Sequence, residues 1–133
     1  MTQTPASILI VDDEPDVCWA LTRILGTCGI RAVVTASAQE ALRLARRERF
    51  LLAFVDAKLP DGEGLDLARR MRDVAPRLRT VLISGYYYRD DSAVADALAA
   101  GIIDGFVSKP FRHDEIRRLV GDPQRRRSQP ASS

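Results

Sequence analysis

Short uncharged runs of hydrophobic residues recur along this chain, and a polar side chain follows each of four of them. The runs ILIV, LLAFV, TVLI and GFVS are followed by Asp12, Asp56, Ser84 and Lys109. Uncharged runs of this length are typical of strands that are buried on both faces, as in parallel sheets. Because ligands collect at the carboxyl ends of parallel strands, we expect these four side chains to lie on one rim.

Amphipathic helical patterns alternate with these runs. Pro15 suits the first turn of a helix that Gly29 would end, and a second short strand is predicted at 31–35. Ser37 and Glu40 have the spacing of a capping box at the start of the second helix. The remaining helices are predicted at about residues 64–75, 92–100 and 114–120.

These elements make five βα units with short connections, which predicts an α/β fold. Right-handed crossovers place helices on both faces, so we expect a doubly wound five-stranded parallel sheet in the order 2-1-3-4-5. The predicted domain covers residues 7–121 and follows an N-terminal tail at 1–6. Residues 122–133 are polar, with Arg, Ser and Pro, which favours a disordered tail or the start of a linker.

Composition narrows the picture only a little. A chain of 133 residues with 46% hydrophobic and 29% charged residues fits one globular domain with a real core. The net charge of +2 gives no argument for direct nucleic-acid binding by this domain. The sequence shows neither a secretory signal nor an apolar run long enough to span a membrane, so we expect a cytoplasmic location without membrane contact.

The cysteines and lysines are few and add two observations. Cys18 and Cys28 fall in one predicted helix and have no metal spacing with the lone His113, so we expect reduced thiols. Lys58 and Lys109 are the only lysines among many arginines, and both lie in segments with candidate chemistry. An arginine would have served at Lys109 if only a surface charge were needed.

Three carboxylates, from Asp12, Asp13 and Asp56, would repel one another at a shared rim unless a cation lies between them. Oxygen ligands with this much negative charge suit Mg²⁺, which at such sites usually also meets phosphate oxygens. One carboxylate would then be a nucleophile that forms an acyl phosphate, and Asp56 is the better candidate because it stands alone after a central strand. Lys109 would balance the phosphoryl charge, and the Ser84 hydroxyl would hydrogen-bond a phosphoryl oxygen.

The segments ILIVDDE, FVDAKLPDG, LISG and FVSKPF, in this order and at this spacing, resemble the receiver domain of bacterial two-component response regulators. The resemblance covers about residues 7–120 and implies a flavodoxin-like (βα)5 fold. It implies phosphotransfer to Asp56 from a histidine kinase or a histidine phosphotransfer protein, with Ser84 and Lys109 assisting. The Mg²⁺ ligands that it implies are Asp12, Asp13, Asp56 and the backbone carbonyl of Lys58.

The resemblance also implies a conformational switch. Ser84 would move towards the phosphoryl group, and Phe106 would turn inward to fill the vacated space. The face formed by the fourth helix, the fifth strand and the last helix would then change its affinity for partners, and it is the candidate homodimer interface. Pro110 would follow a cis peptide bond.

Some positions depart from the commonest form of the family. Phe106 replaces the tyrosine that many receivers carry. Lys58 and Tyr86 occupy the two positions that line water's approach to the phosphoryl group, which predicts slow self-dephosphorylation.

A receiver catalyses its own phosphorylation and dephosphorylation, so we do not expect a dedicated turnover enzyme. The alternative is a phosphatase of the haloacid-dehalogenase type, which also uses an Asp nucleophile, a Ser or Thr, a Lys and Mg²⁺. That class needs a second Asp two residues after the nucleophile, where this chain has Lys58. Its acidic metal pair also comes late in the chain, whereas Asp12 and Asp13 come first. A third alternative is a receiver-like module that never accepts phosphate.

Two aromatic features have more than one interpretation. Tyr86, Tyr87 and Tyr88 would either contact a partner or pack against the fourth helix. Trp19 lies off the apolar stripe of the first helix, where it would either contact a kinase or cover the protein's own surface.

Overall fold

Strands and helices alternate along the chain almost as the hydrophobic pattern predicts. The computed structural model describes residues 6–121. Residues 1–5 of the expected N-terminal tail and the whole expected C-terminal tail, 122–133, lie outside this range. The first elements are β1 (Ser7–Val11), α1 (Pro15–Thr27), β2 (Arg31–Thr35), α2 (Ala38–Arg47) and β3 (Leu52–Asp56). They are followed by β4 (Lys58–Leu59), β5 (Gly62–Glu63), α3 (Gly64–Val74), β6 (Arg79–Ser84), α4 (Ser92–Ala99), β7 (Gly105–Ser108) and α5 (His113–Val120).

Five of these strands form one parallel sheet in the order β2-β1-β3-β6-β7. The predicted fourth and fifth strands are β6 and β7, so the expected order 2-1-3-4-5 and the doubly wound α/β fold are confirmed. One difference lies directly after Asp56, where the sequence predicts only a turn. There β4 and β5 form a short antiparallel hairpin, because the turn returns the chain sharply enough for Lys58 to pair with Glu63.

The core lies on both faces of the sheet. Successive residues of a strand point to opposite faces, so a run without charges supplies two apolar surfaces. Ile8 and Ile10 pack with α1 and α5, whereas Leu9 and Val11 pack with α2 and α3. A third cluster lies under α4. Helices therefore cover both faces, and the ends of the strands remain for chemistry.

The start of α2 differs from its prediction in an instructive way. The capping box forms only in part: Glu40 N donates to Ser37 Oγ at 3.2 Å, but the Glu40 carboxylate pairs with Arg43. Asp61, from the hairpin, supplies further acceptors for Ala38 N at 2.8 Å and for Gln39 N and Ser37 Oγ at 3.1 Å. These backbone donors lower the pKa of Asp61. The hairpin after β3 is thereby fastened to the amino terminus of α2.

Two expectations from composition also meet the structure. Cys18 and Cys28 are free thiols and half-buried, with Cys28 at the carboxyl end of α1. Within residues 6–121, no helix combines the length and the apolar character that crossing a membrane requires.

Candidate functional site

The carboxyl ends of β1, β3, β6 and β7 bring their polar side chains to one rim of the sheet. Asp12 follows β1 and Asp56 ends β3, and both are buried, with 2% and 5% of their surface exposed. One carboxylate oxygen from each of Asp12, Asp13 and Asp56 lies within 4.8 Å of the others. Ser84 ends β6 and is fully buried. The structure thus brings Asp56 together with the adjacent pair Asp12 and Asp13, which lie far from it in the sequence.

Lys109 extends its ammonium group among these carboxylates from the segment after β7. Its Nζ lies 2.6 Å from Glu14 Oε1, 3.1 Å from Asp12 Oδ2 and 3.4 Å from Asp56 Oδ1. Burial opposes the charged form, but the three carboxylates outweigh it and raise the pKa of Lys109 above its ordinary value. The ammonium is therefore charged at neutral pH. The peptide bond between Lys109 and Pro110 is cis, as the resemblance implies.

Asp12 and Asp56 hold protons more tightly than ordinary aspartates. Burial raises the pKa of both carboxyl groups, and the charge of Asp12 raises the pKa of Asp56 further. The charge of Lys109 acts in the opposite direction but does not cancel these effects. The two buried like charges destabilise one another, and a divalent cation would relieve this repulsion.

The donor set fits Mg²⁺. Asp12 Oδ1 accepts a hydrogen bond from Glu14 N at 2.8 Å, whereas Asp12 Oδ2 is buried and accepts none, although the Lys109 ammonium is close. Asp13 is exposed and adds an accessible carboxylate. A hard cation that uses one or two carboxylates and completes its shell with water suits this mixture of buried and exposed oxygens. The Lys58 carbonyl as a further ligand stays a prediction.

The Ser84 hydroxyl is occupied by the backbone of the loop that follows it. Its Oγ accepts hydrogen bonds from Tyr86 N and Tyr87 N, both at 2.9 Å. Phe106 is also buried, with 3% of its surface exposed, and it packs in the cluster under α4 together with Leu82. Both predicted switch residues therefore have defined inward positions, and their movement stays a prediction.

The aromatic residues around the rim divide into two groups. Tyr86 and Tyr88 are exposed, by 72% and 70%, whereas Tyr87 packs against the cluster under α4. Trp19 is 65% exposed on α1, with the Arg23 guanidinium 5.3 Å from its ring. Local packing thus accounts for Tyr87 only. Lys58 extends over the surface to Glu63, with Nζ 3.0 Å from either carboxylate oxygen.

Two residues at the site were not singled out from the sequence. Glu14 is the nearest carboxylate to Lys109, although the two are far apart in the chain. Gly64 begins α3 where the helix crosses the backbone of the phosphoacceptor candidate: a Cβ there would lie 2.2 Å from the Asp56 carbonyl oxygen. The signal for Glu14 was its place in the acidic run after β1. The only signal for Gly64 was a glycine at the start of a helix, where turn chemistry gives a sufficient explanation.

Comparisons with known proteins agree on one family. A family model described as the response regulator receiver domain matches residues 8–121. The chain is 37% identical over 120 residues to the response regulator protein PilR of Pseudomonas aeruginosa. The matched region covers 90% of this chain and 26% of PilR. The chain therefore spans about a quarter of the length of this relative.

Solved structures are similar over most of the chain. A CheY-like response regulator receiver domain protein from Methanospirillum hungatei superposes with a TM-score of 0.76 at 28% identity, over 95% of this chain and 100% of that one. A response regulator protein from Burkholderia pseudomallei, crystallised with a phosphorylated aspartic acid, a calcium ion and citrate, gives a TM-score of 0.76 at 27% identity. It covers 87% of this chain and 66% of that one.

Proposed function

This chain belongs to the response regulator receiver domain family, and on that premise we propose that Asp56 accepts a phosphoryl group from a phosphohistidine. The observation that carries the proposal is the position of the Asp56 carboxylate, buried at a strand end beside the Lys109 ammonium and two further aspartates. The donor is a histidine kinase or a histidine phosphotransfer protein. We place the exchange in the cytoplasm.

The transfer is a displacement at phosphorus. An ionised Asp56 oxygen forms the new O–P bond as the N–P bond of the phosphohistidine breaks, and the imidazole leaves with the electron pair and takes up a proton. Lys109 neutralises charge on the phosphoryl oxygens, and its position between Asp12 and Asp56 suits this role. Asp12, Asp13, Asp56 and the Lys58 carbonyl would hold Mg²⁺, which would supply further charge neutralisation of the phosphoryl group.

Signalling then follows from a change of hydrogen-bond partner at Ser84. Its hydroxyl leaves the two backbone amides that it now accepts from and donates to a phosphoryl oxygen. Phe106, which is already buried beside Leu82, shifts into the vacated space, and the face formed by α4, β7 and α5 alters its affinity for a partner or for a second copy of the chain. The shift is only as large as the difference in contacts between the two states.

Return to the resting state is hydrolysis by water, which attacks phosphorus and releases phosphate from Asp56. Lys58 and Tyr86 stand at the positions that line this approach. The proposal of a slow approach of water and a long-lived signal rests on a lysine and a bulky aromatic ring at these two positions; Lys58 Nζ pairs with Glu63, and Tyr86 is exposed.

The test is phosphorylation of the whole chain with acetyl phosphate and Mg²⁺, followed by intact mass. The wild-type chain should gain one phosphoryl group, and Asp56→Asn should gain none. Asp66→Asn is the matched control, because it removes an exposed carboxylate that pairs with Arg69 on the same helix. A wild-type chain that stays unmodified, or an Asp56→Asn chain that is modified like the wild type, contradicts the proposal.

The phosphatase alternative gains no support from the comparisons, which match receiver domains of response regulators. A receiver domain is a signalling module rather than a metabolic enzyme. The self-dephosphorylation described above is our proposal for this chain. The output to which the switch is coupled would belong to a longer protein of the kind that PilR represents, since the match covers 26% of that relative.

A further inference from the structure

Lys109 has three carboxylate partners, and the nearest is not the phosphoacceptor. The distance from Nζ is 2.6 Å to Glu14, 3.1 Å to Asp12 and 3.4 Å to Asp56. An N–H···O bond between charged groups is strongest near 2.7–2.9 Å and weakens beyond that. Lys109 is therefore closest to Glu14 and farthest from Asp56.

Glu14 differs from the other two partners in its exposure. Its side chain is 57% exposed, whereas the side chains of Asp12 and Asp56 are 0% and 7% exposed. An ion pair with one exposed partner is weak in net terms, since water competes for the carboxylate. Glu14 can thus give up Lys109 without leaving a buried charge unpaired.

The backbone fixes where Glu14 stands. Its N–H donates to Asp12 Oδ1 at 2.8 Å, which holds the Glu14 backbone beside the acidic cluster. Its side-chain carboxylate accepts a hydrogen bond from Lys109. Glu14 also lies at the N-cap of α1, where it makes no side-chain capping bond. Helix capping therefore does not explain the orientation of its carboxylate.

We propose that Glu14 is a positioning residue that holds Lys109 in the unmodified chain and releases it when Asp56 carries a phosphoryl group. A phosphoryl group brings close to two negative charges to the longest of the three contacts, so Lys109 exchanges its contact with the exposed Glu14 for contacts with the phosphoryl oxygens. Glu14 is then a competitor for the lysine and a like charge near the phosphoryl group. This inference rests on the proposed function of Asp56.

The consequence is a resistance to modification to which Glu14 contributes. Removing its charge while keeping its shape, in Glu14→Gln, frees Lys109 and removes the repulsion. Binding of beryllofluoride, which imitates the phosphoryl group on an aspartate, should become about two- to fivefold tighter, the range expected for one partly exposed ion pair.

The experiment titrates beryllofluoride, in the presence of Mg²⁺, into the whole chain by calorimetry. Asp16→Asn is the matched control: Asp16 is an exposed acid in the first turn of the same helix and forms no ion pair within residues 6–121. Tighter binding in Glu14→Gln with an unchanged Asp16→Asn supports the proposal. Equal affinity in Glu14→Gln and wild type, or the same gain in Asp16→Asn, overturns it.

A second readout follows the lysine itself. With only two lysines, ¹⁵N-lysine labelling gives two Nζ signals, and Lys58 serves as the internal reference. Glu14→Gln should shift the Lys109 signal in the unliganded chain and leave Lys58 in place, and an unshifted Lys109 signal overturns the inference. If the wild type binds no beryllofluoride, the proposed function fails and this inference with it. If the wild type binds and Glu14→Gln does not differ, this inference alone fails.

Discussion

Replacing Gly64 by alanine would place a methyl group where the structure has no room for one. The added Cβ would lie 2.2 Å from the Asp56 carbonyl oxygen, 2.9 Å from Ala57 Cα and 3.0 Å from the Asp56 carbonyl carbon. All three atoms belong to backbone, so no side-chain rotation relieves the contact. Gly64 N also donates to Ala57 O at 2.8 Å, which holds the two segments together.

The size of the effect follows from these distances. Ordinary contact begins at 3.4 Å, so either α3 or the end of β3 must move by about 1 Å. Forced insertion into a packed interior costs about 1–3 kcal/mol, which lowers the melting temperature by about 3–15 °C for a domain of this size. If the end of β3 moves, Asp56 moves with it, and a misplacement of 1 Å slows a reaction by up to about 100-fold.

Two measurements on the same samples test this reasoning: thermal unfolding by circular dichroism and the rate of phosphorylation by acetyl phosphate. Gly26→Ala is the control, because it lies in α1 with nothing within 4 Å of the added Cβ. There the better helix propensity of alanine should stabilise the fold by about 0.5–1 kcal/mol. A Gly64→Ala chain that melts and reacts like the wild type would refute the close approach of α3 to Asp56.

Three further outcomes follow from the site. Asp56→Asn should melt higher than wild type at pH 7 without metal, because burial and Asp12 raise the pKa of Asp56 and so disfavour its charged form in the fold. Since that folded pKa is the raised one, the advantage should shrink as pH falls towards 3.8, and a pH-independent difference contradicts it. Ser84→Ala should cost about 1–3 kcal/mol in denaturant unfolding, because it leaves the amides of Tyr86 and Tyr87 without their acceptor. Lys58→Ala combined with Tyr86→Ala should shorten the lifetime of the acyl phosphate, followed by intact mass. An unchanged lifetime contradicts the role assigned to these two residues.

The rim of the sheet was predictable because one physical constraint produces both the strands and their endings. A strand buried on both faces excludes charge, so the first polar residue after β1 or β3 marks the point where the chain leaves the core. Asp12 and Asp56 are recognisable for this reason, and parallel topology brings their strand ends together. The right-handed crossover accounts for helices on both faces of the sheet, whereas the order 2-1-3-4-5 is one of two common orders that this rule allows.

Contacts between loops were not predictable in the same way. Asp61 looks like an ordinary turn residue in the sequence, yet its carboxylate caps α2, more than twenty residues earlier in the chain. Glu40 satisfies the spacing of a capping box but pairs with Arg43 instead. Both outcomes depend on which of several nearby acids makes the more favourable hydrogen bond in the folded chain. Sequence spacing alone carries no information on that competition.

Because the chain has only two lysines, the reactivity of their amines can be used to probe the rim. Apart from the amino terminus, every primary amine of the chain belongs to Lys58 or Lys109. Acylating reagents attack accessible, unprotonated amines, so Lys58, with 46% of its side chain exposed, should react well before Lys109, which is 14% exposed among its carboxylates. The ratio of the two modified peptides would report how firmly Lys109 is held, in unaltered protein and in mixtures where no optical signal is usable.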